Sequence, residues 1–459
     1  MNLPRLIIAD EIKPGTISPG LLLVYAMRRV GINVKVFVNG RDESDLRLLK
    51  LLMEEPIVSL DPYLCGSAKF LKTLFQESAV PDTLNVILVS LGTRLEDGFM
   101  QVRPEIMELA KSLACRIVVL LNAEASAVQV ANDTFSTLSA FEEAGVNYVQ
   151  GVVFLAPKNP REYQLLEQDL GRRTHIMTLG YIPKGIERPH PPLPDLFTAS
   201  ATTCVVQAKS SVLQLLANEY LIEWQIIEAL GFHKQEWASP QASHYLAKNF
   251  KVVIVGDSLF SLESANAKAL FEFLGCEVVD YHPWRDPFPV DATLYYFPDS
   301  LAEIYAEQLL SLTPFVHGIR QAFAANKLIF ANGAAAPLFG NHFLTADGQK
   351  HEALGFFPFH GKYSSLDRPR GTSKVEIRGV SNSLIGNCDE KMRGCSLDYV
   401  HVSNPGGLAP SVWAYRDSLK DEELGDSGWQ KSYCFVTDLY LELWSCVDIV
   451  NRWLASRKK

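Results

Sequence analysis

The sequence predicts an α/β protein built from two doubly wound domains. Short runs rich in β-branched residues, separated by helical stretches, recur in the first part of the chain at 6–9, 34–38, 86–89, 117–121, 152–155 and 176–179. Apolar strands that alternate with helices are typical of a parallel sheet covered on both faces. A second series of the same kind has its strand-like runs at 251–256, 277–279, 293–297 and 327–330. The length of 459 residues suits two domains, each of roughly 200 residues.

Proline and glycine mark the border between these domains. The stretch 187–194, with sequence ERPHPPLP, supports neither a helix nor a central strand, because proline removes backbone donors and fixes φ. After it, the apolar spacing in 211–230 predicts an amphipathic helix that Gly231 closes. We therefore predict one domain at 1–240 and another at 250–459.

Composition excludes several kinds of partner. The formal net charge of -9 and the pI near 5.7 disfavour nucleic acid, since that binding rests on Lys and Arg side chains that neutralise phosphates. No apolar run reaches the length of about 18 residues that crosses a bilayer, and the first residues, MNLPR, do not begin a signal peptide. We expect a cytoplasmic protein with reduced cysteines and with neither nucleic acid nor membrane as a partner.

Several quoted stretches share one family's pattern. In the second half these are GDSLFSLESANAKALFEFLGCEVVDYHPWRD, the run from 291 to 338, and LGFFPFHGKYSSLDRPRGTSKVEIRG. In the first half they are SLDPYLCG at 59–66, LEDG at 95–98 and LGYIP at 179–183. Together they resemble the cobyrinic acid a,c-diamide synthase family. The resemblance implies a P-loop-NTPase-like N-terminal domain, similar to dethiobiotin synthetase, and a class I glutamine-amidotransferase-like C-terminal domain.

The family's reaction implies an ATP site in the first domain. There ATP activates a substrate carboxylate, which ammonia released from glutamine then attacks. A P-loop holds the phosphates with a Gly-rich backbone and a lysine, and its Ser or Thr holds Mg²⁺. The turn at 9–20 reads ADEIKPGTISPG and lacks the G-K-T core. By register Thr16 stands near the family's lysine, and Thr16 and Ser18 are the candidate cofactor-binding residues.

The charges in this turn argue against a bound triphosphate. Asp10 and Glu11 add negative charge where the phosphates would lie, and Lys13 stands at a different place from the family's lysine. Ser90 replaces the acidic residue that the resemblance implies after the third strand as a partner of Mg²⁺. We therefore expect no cofactor, with ATP and Mg²⁺ only if the nucleotide binds unconventionally.

The resemblance also implies a glutaminase site in the second domain. Glutamine hydrolysis needs a cysteine on a sharp strand-to-helix turn, a histidine that makes it a thiolate, and N–H groups for the oxyanion. The family's A-E-C-G-G turn corresponds to ANGAA at 331–335, which puts Gly333 at the nucleophile position. The family's glycine triplet falls on PDS at 298–300. Its late G-H-E-F-H-Y stretch falls on GCSLDY, which puts Asp398 at a histidine position. We predict no catalytic residue.

Other residues offer replacement sites. Cys395, Asp398 and His401 are close enough in sequence for a Cys–His pair, and Cys388 with Cys395 for a metal. Three histidines recur at a spacing of nine residues: His342, His351 and His360. Spacing alone identifies neither a catalytic nor a metal site. We therefore expect structural roles for the cysteines, surface or loop-anchoring roles for the three histidines, and no metal.

Two hypotheses for function follow. In the first, the chain is a catalytically degenerate homologue, a pseudoenzyme connected with cobalamin or tetrapyrrole biosynthesis, that binds a tetrapyrrole-like acid or a protein partner. It then acts as a homodimer or pairs with an active homologue, and its candidate substrate residues are Asp61, Tyr63 and Asp97. In the second, it is an ATP-dependent amidotransferase or ligase that uses free ammonia. The missing P-loop favours the first.

Overall fold

The chain folds into two compact units, Met1–Pro62 with Ser78–Pro240 and Tyr63–Glu77 with Gln241–Lys459. The predicted α/β class with two domains is confirmed. The computed structural model describes residues 2–11, 15–40, 43–94, 100–143, 145, 148–186, 188–197, 200–217, 221–232, 250–256, 264–365, 372–404, 407 and 409–456. The segment 241–249, between the predicted domains, lies outside these ranges, so the division at 1–240 and 250–459 stays a prediction.

Strands and helices alternate through the first unit and the first half of the second. In chain order the strands are β1 (Arg5–Asp10), β2 (Val34–Asn39), β3 (Val58–Ser59), β4 (Leu84–Ser90), β5 (Gly92–Arg94), β6 (Met100–Val102), β7 (Arg116–Asn122), β8 (Val149–Leu155), β9 (Met177–Ile182), β10 (Lys251–Val255), β11 (Glu277–Tyr281), β12 (Leu294–Phe297), β13 (Leu328–Ala331), β14 (His342–Leu344), β15 (Lys350–Glu352), β16 (His360–Tyr363), β17 (Thr372–Gly379), β18 (Lys391–Leu397), β19 (Val400–Ser403), β20 (Ser411–Asp417), β21 (Glu423–Lys431), β22 (Cys434–Val436) and β23 (Tyr440–Leu441).

The helices separate the parallel strands. They are α1 (Pro19–Arg29), α2 (Glu43–Met53), α3 (Ala68–Ser78), α4 (Pro104–Leu113), α5 (Ala127–Glu143), α6 (Pro160–Arg173), α7 (Ser200–Leu216), α8 (Trp224–Gly231), α9 (Ser264–Phe273), α10 (Ala302–Ser311), α11 (Thr313–Ala324) and α12 (Val447–Ala455). Short 3-10 helices lie at Leu193–Phe197, Gly333–Phe339 and Leu443–Cys446. Within the described ranges, none of the helices has the length and apolar character needed to cross a membrane.

The first unit is built on a seven-stranded parallel sheet. Its order is β3-β2-β4-β1-β7-β8-β9. Strand β1 is central and buried along its whole length, as expected for a strand covered on both faces. The chain runs from β1 outward to β2, returns through β4 and continues beyond β1 at β7. Ligands of doubly wound sheets bind outside the carboxyl ends of the strands at such a reversal, which directs attention to the turn between β1 and α1.

Helix α1 fixes one side of this turn. Ser18 is its N-cap and accepts a hydrogen bond from the Leu21 N–H at 3.2 Å. Pro19 occupies the first helical position, where its fixed φ suits a helix start and its missing N–H removes no helical bond. Every residue from Pro19 to Met27 is buried. The helix N-terminus is therefore held firmly against the sheet.

The second unit is built on a ten-stranded mixed sheet of order β11-β10-β12-β13-β22-β21-β20-β17-β18-β23. Pairing is parallel from β11 to β22 and antiparallel beyond. Aromatic side chains fill its core: the Phe330 ring on β13 meets the Trp453 ring edge-on at 5.8 Å. The parallel half places the carboxyl end of β13 next to the 3-10 helix Gly333–Phe339, at the predicted nucleophile turn.

A separate four-stranded sheet of order β15-β14-β16-β19 packs against that 3-10 helix. Phe343 and Tyr363 point toward the helix and are fully buried. A Cβ added to Gly361 would lie 2.2 Å from the Cβ of Pro337, so the glycine permits this close packing. The four-stranded sheet therefore supports the strand-to-helix turn after β13.

Residues 63–77 belong to the second unit, although their neighbours along the chain belong to the first. The Arg393 Nη1 donates to the Tyr63 carbonyl at 2.8 Å, and its guanidinium lies 4.8 Å from the centre of the Tyr63 ring. Gly66 has φ +73, and a Cβ added to it would lie 3.2 Å from the Cα of Ser445. The YLCG part of the SLDPYLCG segment, residues 63–66, is thus held in the second unit by its tyrosine and its glycine.

We predict that Gly66→Ala destabilises the second unit more than Gly348→Ala does. Both glycines have positive φ, +73 and +85, but a Cβ on Gly348 meets nothing within 4 Å. Backbone strain should cost about 1 kcal/mol in each variant, and the displaced Ser445 backbone should raise the Gly66→Ala loss to about 2–3 kcal/mol. Urea unfolding followed by tryptophan fluorescence measures both losses. Equal losses would contradict the packing of Gly66 on Ser445.

Candidate functional site

The turn after β1 carries a buried carboxylate at the N-terminus of α1. Asp10 is 0% exposed, and its Oδ2 accepts from the Ser18 hydroxyl at 2.5 Å and from the Gly20 N–H at 2.8 Å. A Cβ added to Gly20 would lie 2.8 Å from the same oxygen, so the glycine lets the carboxylate approach the backbone. Helix N-termini favour anions, because their N–H groups and dipole point at them. Asp10 therefore supplies an internal anion where a phosphate would bind.

The Pro-rich stretch after β9 pairs with this turn. The Ile17 N–H donates to the Arg188 carbonyl at 3.0 Å, and Thr16 forms an antiparallel bridge with Pro189. Thr16, a candidate cofactor residue, is half-buried in this pairing. The Ile17 N–H is therefore already hydrogen-bonded within the protein.

A second buried carboxylate encloses Ser18 from the other side. Asp45 on α2 accepts from the Ser18 N–H at 3.4 Å and lies 3.2 Å from the Nε2 of His190. The Nδ1 of His190 lies 2.9 Å from the Pro191 carbonyl oxygen. Both ring nitrogens of His190 therefore face acceptor oxygens. Ser18, the other candidate cofactor residue, thus contacts Asp10 and Asp45.

Further acidic character surrounds the turn. The Glu11 Oε2 accepts from the Asn122 N–H at 3.2 Å, at the carboxyl end of β7. Ser90, where the resemblance implied an acidic partner of Mg²⁺, lies opposite Asp10 in the pairing of β1 with β4. Lys13 lies outside the described residues. The described part of the turn therefore offers carboxylates where a triphosphate needs cations.

The strand-to-helix turn after β13 contains Gly333, the residue predicted at the nucleophile position. Gly333 has φ +63 and begins the 3-10 helix. A Cβ added to it would lie 2.3 Å from the Oδ1 of Asp299. Asp299 is 7% exposed, and its Oδ1 accepts from the Ala334 N–H at 2.8 Å. The Asp299 carboxylate therefore fills the space of a nucleophile side chain and engages the backbone donor beside it.

Two tyrosines complete this arrangement. Tyr399 donates to the Oδ2 of Asp299 at 2.8 Å, and Tyr363 donates to the Ala334 carbonyl at 3.0 Å. Burial raises the pKa of Tyr363 well above its ordinary value, so its phenol keeps its proton and remains a donor. Asp398, at the histidine position, is exposed. The next residue along, Tyr399, is the one that reaches the turn.

A small apolar cavity adjoins the same turn. As enclosed by described residues, it has a volume of about 10 Å³ and is lined by Phe297, Ser300, Ala335 and Leu338 among others. That volume holds about one water molecule.

Two of the three predicted substrate residues, Asp61 and Tyr63, lie among the described residues. Asp61 lies in the first unit and is 8% exposed. Tyr63 lies in the second unit, with the Lys374 Nζ 5.6 Å and the Arg393 Cζ 4.8 Å from its ring centre. Burial raises the pKa of Tyr63, and the Arg393 charge opposes that rise. Asp97, with its LEDG motif, lies outside the described residues. These contacts pack Tyr63 within the second unit, and the substrate roles of the three residues stay predictions.

The replacement sites considered from spacing are not assembled as catalytic or metal centres. Cys395 is buried in β18 of the ten-stranded sheet, whereas His401 is exposed on β19 of the four-stranded sheet. Among the described side chains, no three His, Cys, Asp or Glu residues are placed to hold a metal. The three histidines predicted as surface or loop anchors lie within the short strands β14, β15 and β16: His342, His351 and His360.

Sequence reasoning missed the roles of Asp299 and Tyr399. The sequence did contain a signal for this contact. Relative to the family's motifs, position 299 gains a side chain within the glycine triplet, and position 333 loses one. Such a paired exchange is expected when two positions face each other across one space. The contact between Gly333 and Asp299 supplies that space.

Curated relatives match nearly the whole chain. The cobyrinate a,c-diamide synthase of Syntrophotalea carbinolica is 23% identical over 433 residues, which cover 92% of this chain and 92% of the relative. That of Listeria innocua is 20% identical over 459 residues, covering 99% of each. A solved glutamine amidotransferase structure covers 45% of this chain and 98% of its own, at 12% identity and a TM-score of 0.34. No family model matches the chain.

We predict that Asp10→Ala creates a vacant anion site. Ser18 and Gly20 lose their shared acceptor, so the free energy of unfolding should fall by about 2–4 kcal/mol. Sulfate, compared with chloride at equal ionic strength, should then raise the melting temperature of Asp10→Ala more than that of the unaltered protein. Asp10→Asn, which keeps an acceptor oxygen in place, is the matched control and should respond like the unaltered protein. A sulfate response equal in all three proteins would refute the assignment.

We also predict strong coupling between positions 299 and 333. Gly333→Cys alone brings its side chain into the Asp299 carboxylate, and Asp299→Gly alone leaves the Ala334 N–H and the Tyr399 hydroxyl without this acceptor. The double variant should lose less stability than the two single losses summed, by about 1–3 kcal/mol. Chemical unfolding of all four proteins gives this coupling. Pairing Asp299→Gly with Gly348→Ala should instead be additive, and additivity in both pairs would exclude the proposed filling of the turn.

Proposed function

We propose that this chain, a homologue of the cobyrinate a,c-diamide synthases over nearly its whole length, is a non-catalytic member of that group. It neither activates a carboxylate with ATP nor hydrolyses glutamine, and it acts by binding a tetrapyrrole-like acid or a protein partner. The observation that carries the proposal is the same in both units: a buried aspartate uses the donors at which a ligand's negative charge would be bound.

Electrostatics supports the loss of ATP binding. Each phosphate charge placed about 4 Å from the Asp10 carboxylate would cost about 1–4 kcal/mol, depending on the local dielectric. Glu11 and Asp45 add to that cost, and the Gly20 N–H is already engaged. The sequence has no lysine at the G-K-T position, near which Thr16 stands by register, to compensate for this cost. The turn therefore favours its own carboxylate over a nucleotide.

Chemistry and volume support the loss of glutamine hydrolysis. Gly333 supplies no nucleophile, and Asp398 stands where the resemblance implies a histidine. The Ala334 N–H, a candidate oxyanion donor, is engaged by Asp299, and such donors must be vacant to stabilise developing charge. The small volume of the adjoining cavity, about 10 Å³ between described residues, is in line with this loss. Restoring the cysteine alone would therefore not restore activity.

The alternative, a ligase that uses free ammonia, tolerates the loss of the glutaminase but still needs activated phosphate. Its nucleotide would have to bind without the donors of the turn between β1 and α1, and against the charges of Asp10 and Glu11. We therefore favour the binding role, in which the retained two-unit fold serves a ligand or a partner. A homodimer and pairing with an active homologue are both compatible forms of that role.

One calorimetric screen tests the proposal. Titrated separately into the purified protein, ATP with Mg²⁺ and glutamine should give no saturable heat corresponding to a Kd below about 100 µM, which is about -5.5 kcal/mol. A corrinoid or porphyrin acid should bind below that limit if the ligand form of the role is correct. If the partner form is correct, an active homologue should bind instead. Saturable ATP binding below the limit would support the ligase alternative, and failure of every titration would refute the binding role.

A further inference from the structure

A cavity of about 420 Å³ lies in the first unit, between the end of α1 and the start of α8. One wall is formed by Val30, Gly31 and Ile32, which join α1 to β2. The other wall is formed by residues between 222 and 228, at and just before the first turns of α8. Sites that hold small molecules have volumes of about 300–1,000 Å³. The cavity is therefore large enough for a small organic molecule.

This cavity lies at the opposite end of α1 from the turn that carries Asp10. Helix α1 begins after the carboxyl end of β1 and ends before β2 starts at Val34. Its 11 residues span about 16 Å at the rise of an α-helix. None of the residues that line the cavity belongs to the candidate functional site in either unit. A ligand bound here would therefore occupy a separate site.

Apolar side chains line part of the cavity. Ile32 and Ile222 are 7% and 4% exposed, so they form a buried surface. Val30, at the end of α1, is 42% exposed and lies toward solvent. A Cβ added to Gly31 would meet nothing within 4 Å, so space remains beside this residue. A ligand can therefore reach the buried apolar surface from solvent.

Helix α8 brings an aromatic ring and two carboxylates to the same cavity. Trp224 and Glu228 are four residues apart, so they project from one flank of the helix, whereas Ile227 and Leu230 are buried. Glu223 stands at the N-cap position, and its side chain does not cap the helix. In the part of the chain that the structure describes, neither of these carboxylates forms an ion pair or a hydrogen bond. Both carboxylates are therefore available to a ligand.

The carboxylates determine the sign of the charge in this cavity. The C-terminal end of α1 and the N-terminal end of α8 both border it, and their partial charges, about −0.5 and +0.5, roughly cancel. Arg28, near the end of α1, donates from Nη1 to the Met53 carbonyl at 2.7 Å. Among the described residues, the lining includes neither Lys nor Arg. The cavity therefore favours a cation and disfavours an anion.

We propose that this cavity binds a small organic cation, an ammonium group attached to an apolar body. The ammonium pairs with Glu223 and Glu228 and lies near the Trp224 ring, whose π-system attracts cations. The apolar body covers Ile32 and Ile222. A metal ion is a poorer match, because no three described His, Cys, Asp or Glu side chains are placed to hold one. This inference goes beyond the proposed function and can hold or fail independently of it.

The test is a ligand-observed NMR titration of the full chain at pH 7 with three probes of similar shape and different charge. Phenethylamine, the cation, should saturate with a Kd on the order of 1 mM, as suits a ligand of this size. Phenethyl alcohol, which replaces the ammonium with a neutral hydroxyl, should bind at least tenfold more weakly. Phenylpropionate, the anion, should show no saturable binding.

Three variants locate the site. Glu223→Gln/Glu228→Gln should weaken phenethylamine binding at least tenfold and change phenethyl alcohol binding less than twofold. The matched control is Glu142→Gln/Glu143→Gln on α5, which removes the same charge from exposed positions in the same unit and should change either affinity less than twofold. Trp224→Leu should weaken phenethylamine binding about fivefold, through loss of the cation–π contact.

Several outcomes would overturn the proposal. These are absence of phenethylamine saturation up to about 10 mM, equal affinity for the amine and the alcohol, tighter binding of phenylpropionate, or equal losses in the α8 and α5 double variants. If Trp224→Leu unfolds, the α8 double variant decides, because amides of the same length replace its carboxylates. Unchanged phenethylamine affinity in that variant would refute the cavity as the binding site.

Discussion

A carboxylate withdrawn from water is costly to bury unless donors reach its oxygens. The N-terminus of α1 meets that requirement for Asp10 with a backbone N–H and the hydroxyl of its own N-cap. In a P-loop, backbone N–H groups and a hydroxyl at the same place bind phosphate. Because Asp10 is the last residue of the central strand β1, the carboxylate is fixed by the sheet. The local folding of the turn and the proposed absence of nucleotide binding follow from one interaction.

In the second unit, too, a buried aspartate accepts a hydrogen bond from a backbone N–H at a turn, but the aspartate comes from a neighbouring strand. Asp299 follows β12 and faces the turn after β13, so two neighbouring parallel strands bring the carboxylate to Ala334. Gly333 makes this contact sterically feasible, and Tyr399 supplies the second oxygen with a donor. In the first unit the missing group is a phosphate-binding lysine, and in the second it is a thiol. In both, the anion comes from within the chain, which is the physical basis of the proposal that chemistry was replaced by internal structure.

The sequence could predict the fold class, because β-branched runs and their spacing depend on local rules that a single chain displays. It could also point to Gly333 and to the turn from Asp10 to Gly20, because the resemblance aligned them with family motifs. It could not predict that Asp299 fills the space beside Gly333, since that contact joins positions on separate strands. Nor could it place Tyr63 in the second unit, because the return of 63–77 to that unit depends on long-range contacts with Arg393 and Ser445. Sequence analysis also did not predict the antiparallel half of the ten-stranded sheet, because its strand pairing likewise depends on long-range contacts.

An active site must keep donors vacant for its substrate, and unsatisfied buried donors cost stability. Filling them with an internal carboxylate removes that cost, provided the carboxylate is itself fully bonded. Asp10 and Asp299 each bond through two donors, and the residues that permit their approach, Gly20 and Gly333, carry no side chain. A reversal would have to remove the aspartate, restore the catalytic group and tolerate reopened donors in one step. Under the proposed non-catalytic role, the two aspartates that stabilise the fold would also block the chemistry, and a single substitution in either unit would be insufficient to recover it.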